Sequence, residues 1–249
     1  MPDPKYFSNH QVSTKDCTQA RTIKLTCLLD SMQDAAWMNA TALGFSTLDL
    51  LNNNMTWVMN RMNISFYRYP VDNEKYTIET WPSSMNKYIT TRDFRIRDEN
   101  DKVLIEATSN WLVMDIIERK LIPIPDYIKE AGFTVDHGNI EPGKTKLKFD
   151  SSKVLNEKRI VVSWFDLDIN NHVNNTKFYQ WILDSLEGDF LNTHELKEIE
   201  IVFKHEGKYG DAFLTQSYLE SIEGQYLHRL VNEKSGQESV VAMTMFDKK

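Results

Sequence analysis

The sequence predicts an α+β fold built from two similar units, each a helix followed by antiparallel strands. Helical apolar spacing occurs twice, each time ahead of a series of strand-like segments, and a lysine-rich stretch with several glycines separates the two series. In the first series Leu28, Met32, Ala35, Ala36, Ala40 and Leu43 fall on one helical stripe that ends at Gly44. Strand-like segments follow at about 57–69, 75–82, 87–98 and 102–115, with Asp98-Glu99-Asn100-Asp101 as a polar turn between the last two. These make residues 1–128 a first unit. Residues 129–157, with Gly132, Gly138, Pro142, Gly143 and a run of lysines, have the composition of a surface linker. A second helix from about 174 to 187 places Phe178, Trp181, Ile182 and Leu186 on one stripe and stops near Gly188. Strand-like runs near 197–205, 211–220, 225–232 and 238–246 complete a second unit over residues 158–249.

Bulk properties narrow the function classes. At 249 residues the chain can bury roughly three quarters of its unfolded surface, enough for a substantial core. No apolar run reaches the length of a membrane span, and the N-terminus shows no basic-then-apolar signal, so a cytoplasmic protein without membrane partners is expected. The net charge of −7 disfavours nucleic acid as a partner, since phosphate binding needs clustered Lys and Arg. Cys17 and Cys27 are too few for a disulfide scaffold, and no metal-ligand spacing occurs among the histidines. Neither a metal nor a cofactor is expected.

Chemistry concentrates in Asp166-Leu167-Asp168-Ile169-Asn170-Asn171-His172-Val173-Asn174-Asn175-Thr176-Lys177-Phe178-Tyr179, directly before the second helix. Asp168, Asn170 and His172 alternate at a spacing of two, which in extended backbone points all three side chains to one side. One or two of these polar residues would suffice to cap the helix and turn the chain; the whole run exceeds that need.

Asp-x-Asn-x-His-Val-Asn-Asn followed by Tyr179 and Trp181 resembles the signature of acyl-acyl-carrier-protein thioesterases. Trp57-Val58-Met59-Asn60-Arg61, Ile78-Glu79-Thr80-Trp81, Ser109-Asn110-Trp111-Leu112-Val113-Met114-Asp115 and Arg119-Lys120-Leu121-Ile122-Pro123-Ile124-Pro125 resemble that family's first-half blocks, in order. The resemblance implies a tandem double hot-dog, antiparallel sheets each wrapped around a central helix. It also implies hydrolysis of the thioester that holds a fatty acid on an acyl carrier protein, with an acyl-coenzyme A thioesterase of the same fold or a non-catalytic acyl-binding protein as the alternatives. That carrier is itself acidic, so docking to a chain of charge −7 calls for a local basic patch. Candidates are Arg92, Arg95 and Arg97, or Lys144, Lys146 and Lys148, or Lys153, Lys158 and Arg159. A monomer and a homodimer both stay open, because a tandem repeat already supplies two units within one chain.

Laying the halves over each other at an offset of 138 sets Asp30 against Asp168, Met32 against Asn170 and Asp34 against His172, with Pro70 against Glu206 after a small gap. On that alignment only the second half carries Asn, His and Glu, and one active site per chain is expected there. His172 has the intrinsic pKa for proton transfer near neutrality. Asp168 can orient the imidazole or other site groups, and Asn170 can position water or the thioester carbonyl. Backbone N–H groups at Val173 and Asn174, at the helix start, suit the carbonyl oxygen of a bound thioester. Trp37 and Trp57, with Met38, Met55, Met59 and Trp111, are candidates to shape an acyl pocket or simply to form core.

The fourth catalytic candidate is Glu206. Plant members carry a Glu-Cys pair after a short basic stretch, and Phe203-Lys204-His205-Glu206-Gly207 resembles it with Gly207 in place of the Cys. A cysteine nucleophile is therefore impossible at that point, and the pattern that survives is Asp168, Asn170, His172 and Glu206 with water as nucleophile. Strict alternation from Ile199, Ile201 and Phe203 puts Glu206 on the polar face, unless the strand ends or bulges near Gly207.

Overall fold

In a computed structural model of the chain, the described residues are 3–132, 134–135, 149, 154–220 and 222–249. Lys144, Lys146, Lys148 and Lys153, named above as docking candidates, lie outside them. The chain divides into two compact units, residues 1–142 and 143–249. Among the described residues no helix is long and apolar enough to cross a membrane.

The first unit runs β1 (Tyr6–Gln11), α1 (Leu25–Leu43), α2 (Thr47–Leu51), β2 (Met55–Phe66), β3 (Lys75–Met85), β4 (Thr90–Asp98), β5 (Val103–Asp115), β6 (Lys120–Ile122) and α3 (Asp126–Glu130). Its strands pair antiparallel in the order β1-β3-β4-β5-β2, with β6 added to β5. Helix α1 buries Leu25, Leu28, Leu29, Met32, Ala35, Ala36, Asn39 and Leu43, which recur three or four residues apart and form one face. It ends because Gly44 takes the left-handed conformation, φ +79°, that a side chain would resist. Ile78, Ile96, Ile105 and Phe66 stand in register across four strands and are at most 3% exposed. Each such side chain contributes roughly 1.5–3 kcal/mol by leaving water. The polar turn at Asp98–Asp101 closes the β4–β5 hairpin, with the Asp98 carboxylate accepting from the N–H groups of Asn100 and Lys102.

The second unit repeats this plan with β7 (Val154–Val161), α4 (Asn175–Leu183), α5 (Gly188–Thr193), β8 (His194–Phe203), β9 (Ala212–Leu219), β10 (Gln225–Asn232) and β11 (Glu238–Lys248). The strand order β7-β9-β10-β11-β8 matches the first unit strand for strand. Phe178 and Trp181 of α4 pack edge-on at 5.4 Å, and Phe178 meets Phe213 of β9 at 5.9 Å. Below α4 lies a buried polar chain. The Ser185 hydroxyl donates to the Ile182 carbonyl at 2.6 Å, so the Ser217 hydroxyl beside it must donate to Ser185 Oγ. Ser217 Oγ then accepts from His228 Nδ1 at 2.8 Å, which leaves Nε2 to accept from the Thr244 hydroxyl, also at 2.8 Å. Full burial holds the His228 imidazole neutral, its pKa pulled down to about 3.

Three expectations change. Each unit opens with a strand, β1 or β7, that pattern reasoning does not find, and β7 begins at Val154, inside the stretch expected to be linker. The second helix is shorter than expected, ending at Leu183, and a separate helix starts at Gly188. The alignment of the halves also differs. Asp30 lies inside α1, whereas the local backbone sets Ser13 against Ser163, Arg21 (φ +60°) against Asn171 (φ +62°) and Ile23 against Val173, an offset of 150. After β2 and β8 the offset is 137, since Ile23 N–H donates to Pro70 O at 2.9 Å and Val173 N–H to Gly207 O at 2.8 Å. On this structural alignment Asp168, Asn170, His172 and Glu206 face Thr18, Ala20, Thr22 and Tyr69. None of the four residue types recurs at its matching position in the first unit, a sharper asymmetry than the sequence comparison produced.

Candidate active site

The site is assembled where the chain turns from β7 into α4. Ser163 opens a single 3-10 turn, Trp164–Asp166, and Asp166 Oδ2 accepts from both the Ser163 N–H at 2.8 Å and its hydroxyl at 2.7 Å. Burial pushes the Asp166 carboxyl up, but these bonds and Lys177, at 3.3 Å, outweigh it and hold the group below its ordinary value. Leu167 then bridges Val173, so residues 168–172 form a tight turn rather than an extended segment. Asp168 Oδ1 accepts from the Asn170 N–H at 2.8 Å and the His172 N–H at 3.1 Å, while Oδ2 receives the Asn170 side-chain amide at 3.4 Å. The expectation of three side chains aligned by alternation is therefore corrected. Asp168 ties the turn together through backbone groups, the His172 N–H among them, and Asn170 braces Asp168.

His172 Nε2 lies 3.3 Å from Glu206 Oε2, with side-chain exposures of 25% and 35% that leave the pair open to substrate and water. Glu206 reaches this position because β8 stops at Phe203. The Lys204 and His205 N–H groups both donate to Ser239 O, at 2.9 and 3.2 Å, which breaks the alternation and turns the next residue. Gly207 fixes the loop to the turn by accepting the Val173 N–H. A Cβ at Gly207 would stand 2.8 Å from Val173 Cγ2 and 2.9 Å from Phe213 Cζ, so the cysteine of the related pattern has no room here. Gly207→Cys is expected to destabilise the protein by about 1–3 kcal/mol without creating a fast-reacting thiol, measured by urea unfolding and thiol titration.

The expected oxyanion donors also shift. The Val173 N–H is committed to Gly207 O and the Asn174 N–H to Asp166 O at 2.8 Å. Asn174 is the N-cap of α4, its side-chain oxygen accepting from the Thr176 N–H at 3.0 Å. The Asn175 N–H, at the first helical position, has no protein acceptor among the described residues and is the donor left for a carbonyl oxygen. N-cap reasoning on Asn174 could have found it.

Trp37 and Trp57 belong to the first unit. Trp37 sits on α1, 36% exposed, whereas the Trp57 indole donates to Phe45 O at 2.8 Å and packs on the core cluster of Leu50, Val113, Ile124 and Ile128. Burial, then the neighbouring Asp16 carboxylate, push the Cys27 thiol up, and the Cys17 thiol is raised as well, so both favour the protonated, unreactive form. Among the described residues no group of three or more His, Cys, Asp and Glu side chains is placed to hold a metal ion.

A family model for the acyl-ACP thioesterase N-terminal domain matches residues 3–131, and one for the acyl-ACP thioesterase C-terminal domain matches residues 149–248. A palmitoyl-acyl carrier protein thioesterase, chloroplastic, of Gossypium hirsutum is 28% identical over 213 residues, covering 81% of this chain and 52% of that protein. The chain thus spans about half the length of the curated relatives it matches. In fold it is similar to the 12:0-ACP thioesterase from Umbellularia californica, with a TM-score of 0.91, 21% identity and coverage of 100% of this chain and 99% of that one. An acyl-ACP thioesterase from Bacteroides thetaiotaomicron gives a TM-score of 0.89 at 20% identity, over 99% of this chain and 100% of that one.

Proposed function

Because the chain belongs to the acyl-ACP thioesterase family, we propose that it hydrolyses the thioester of fatty acyl-acyl-carrier-protein, releasing free fatty acid and ending its synthesis. The observation that carries this reading is the contact of His172 with Glu206 beside an open helix N-terminus. Water attacks the carbonyl carbon as the Glu206 carboxylate takes its proton, with His172 holding the carboxylate in place. The carbonyl oxygen gathers negative charge and accepts from the Asn175 N–H. Collapse of the tetrahedral intermediate breaks the C–S bond, and the departing thiolate recovers the proton from Glu206. No acyl group is transferred to the protein, in keeping with the missing side chain at Gly207.

The test is direct. The purified protein, given acyl-carrier-protein substrates across medium and long chains, is expected to release one thiol and one fatty acid per turnover. It should prefer these to coenzyme A thioesters of the same acyl groups. Silence on every carrier-bound chain length would sink the reading.

A further inference from the structure

Five large apolar side chains among the described residues are two-thirds or more exposed, and four of them, Trp164 (69%), Phe165 (82%), Ile169 (83%) and Tyr209 (67%), stand on the two loops that carry His172 and Glu206. Those loops form one structure: Val162 N–H donates to Asp211 O at 2.9 Å, Gly210 N–H to Val162 O at 3.1 Å and Val173 N–H to Gly207 O at 2.8 Å. The first unit builds the same pair of loops. There Val12 N–H donates to Glu74 O at 2.9 Å, Asn73 N–H to Val12 O at 3.0 Å and Ile23 N–H to Pro70 O at 2.9 Å. At the matching positions it carries Thr14, Lys15, Gln19 and Asp72. The backbone design therefore tolerates polar residues at all four places. Only the copy that also holds His172 and Glu206 presents apolar ones, a cost in water that a partner surface would recover.

We propose that Trp164, Phe165, Ile169 and Tyr209 are the docking surface for the acyl carrier protein, an inference that rests on the hydrolysis proposed above. The scissile thioester hangs from the carrier, so the carrier must settle on the rim from which that thioester reaches the His172–Glu206 pair. Apart from Glu206, which pairs with His172, the loops' own carboxylates are engaged within the loops. Asp166 is engaged by Ser163 and Lys177, Asp168 by its turn, and Asp211 by the Lys208 N–H. The Lys208 ammonium is exposed and has no ion pair among the described residues. With a net charge of −7, apolar contact plus this local cation takes the place of long-range attraction. Trp and Tyr are also the side chains that most often dominate such interfaces.

The sister unit supplies substitutions that this backbone accepts. The double variant Trp164→Thr/Ile169→Gln is charge-neutral and is expected to raise KM for acyl-carrier-protein about ten-fold or more, with kcat nearly constant. The same variant should keep kcat/KM for the matching acyl-coenzyme A, which has the same arm but no carrier, within about two-fold. An unchanged KM on the carrier substrate, or an equal loss on both substrates, overturns the proposal; a thermal melt confirms that the variant is folded. Calorimetric titration with acyl-free holo-carrier separates docking from chemistry. If wild type binds the carrier, the variant does not, and neither thioester is cleaved, docking stands and the hydrolysis reading falls. If the substitutions leave carrier binding intact but abolish a concentration-dependent dimer or binding to anionic vesicles, the surface belongs to that other partner and the proposal is wrong.

Discussion

His172→Ala is expected to lower kcat on acyl-carrier-protein by a factor of about 10²–10⁴, and Glu206→Gln by a similar factor. Both side chains are partly open to solvent and outside the apolar core, so the melting temperature should hardly move in either variant. Because they touch at 3.3 Å and serve one proton transfer, the double variant should lose little more than the worse single one. Asp168→Ala should behave differently. It removes the acceptor for the Asn170 and His172 N–H groups, so a loss of about 1–2 kcal/mol in stability accompanies a fall in kcat. Asp168→Asn, which keeps an acceptor oxygen, should restore much of both. Steady-state thiol release and urea melts on the set separate the reacting groups from the one that positions them. Near wild-type kcat in both His172→Ala and Glu206→Gln would remove the proposed site.

Much of the fold is legible in the sequence. The four long strands after the main helix of each unit follow from strand-like runs between turn residues, and Gly44 marks the end of α1 because its left-handed backbone ends the helix. The first strands escaped because both are polar sheet edges: β1 alternates half-buried and exposed residues, and β7 exposes Lys158 and Arg159 in the manner of a linker. Residue identity misled the alignment of the halves. Asp30 resembles Asp168 as a letter but sits inside α1, and the true landmark is the left-handed residue in each turn, which Arg21 does not advertise. The motif, whose alternation suggests extended chain, is a turn. Asp and Asn favour turns because their side chains bond to nearby N–H groups, and Asp168 does so twice. Glu206 was undecidable from alternation because two successive N–H groups on one carbonyl, Ser239 O, reset the pattern just before it.

The buried chain through His228 predicts how the second unit responds to acid. In the folded state the imidazole stays neutral down to about pH 3, whereas an unfolded histidine takes up a proton near pH 6.5. The unfolded chain thus binds the extra proton first. Stability from this group is complete above about pH 6.5 and falls as the pH drops toward 3, by about 1.4 kcal/mol per pH unit and several kcal/mol over the window. His10, also lowered by burial, adds a smaller slope of the same sign. Burial of the imidazole is the cause, and the hydrogen-bond directions are those of a neutral ring. Ser185 and Ser217 use their protons along the chain, Nδ1–H is spent on Ser217, and a second proton at Nε2 would confront the hydroxyl proton of Thr244. His228→Gln removes the titration but strands at least one buried hydroxyl, so it should be less stable than wild type at pH 7 by about 1–3 kcal/mol. Urea unfolding at pH 7, 5.5 and 4.5 should then show the gap between the two proteins closing as the pH falls. A gap that stays constant would mean that the folded protein protonates His228 as readily as the unfolded chain does, and that Ser217 and Thr244 do not enforce a single neutral tautomer.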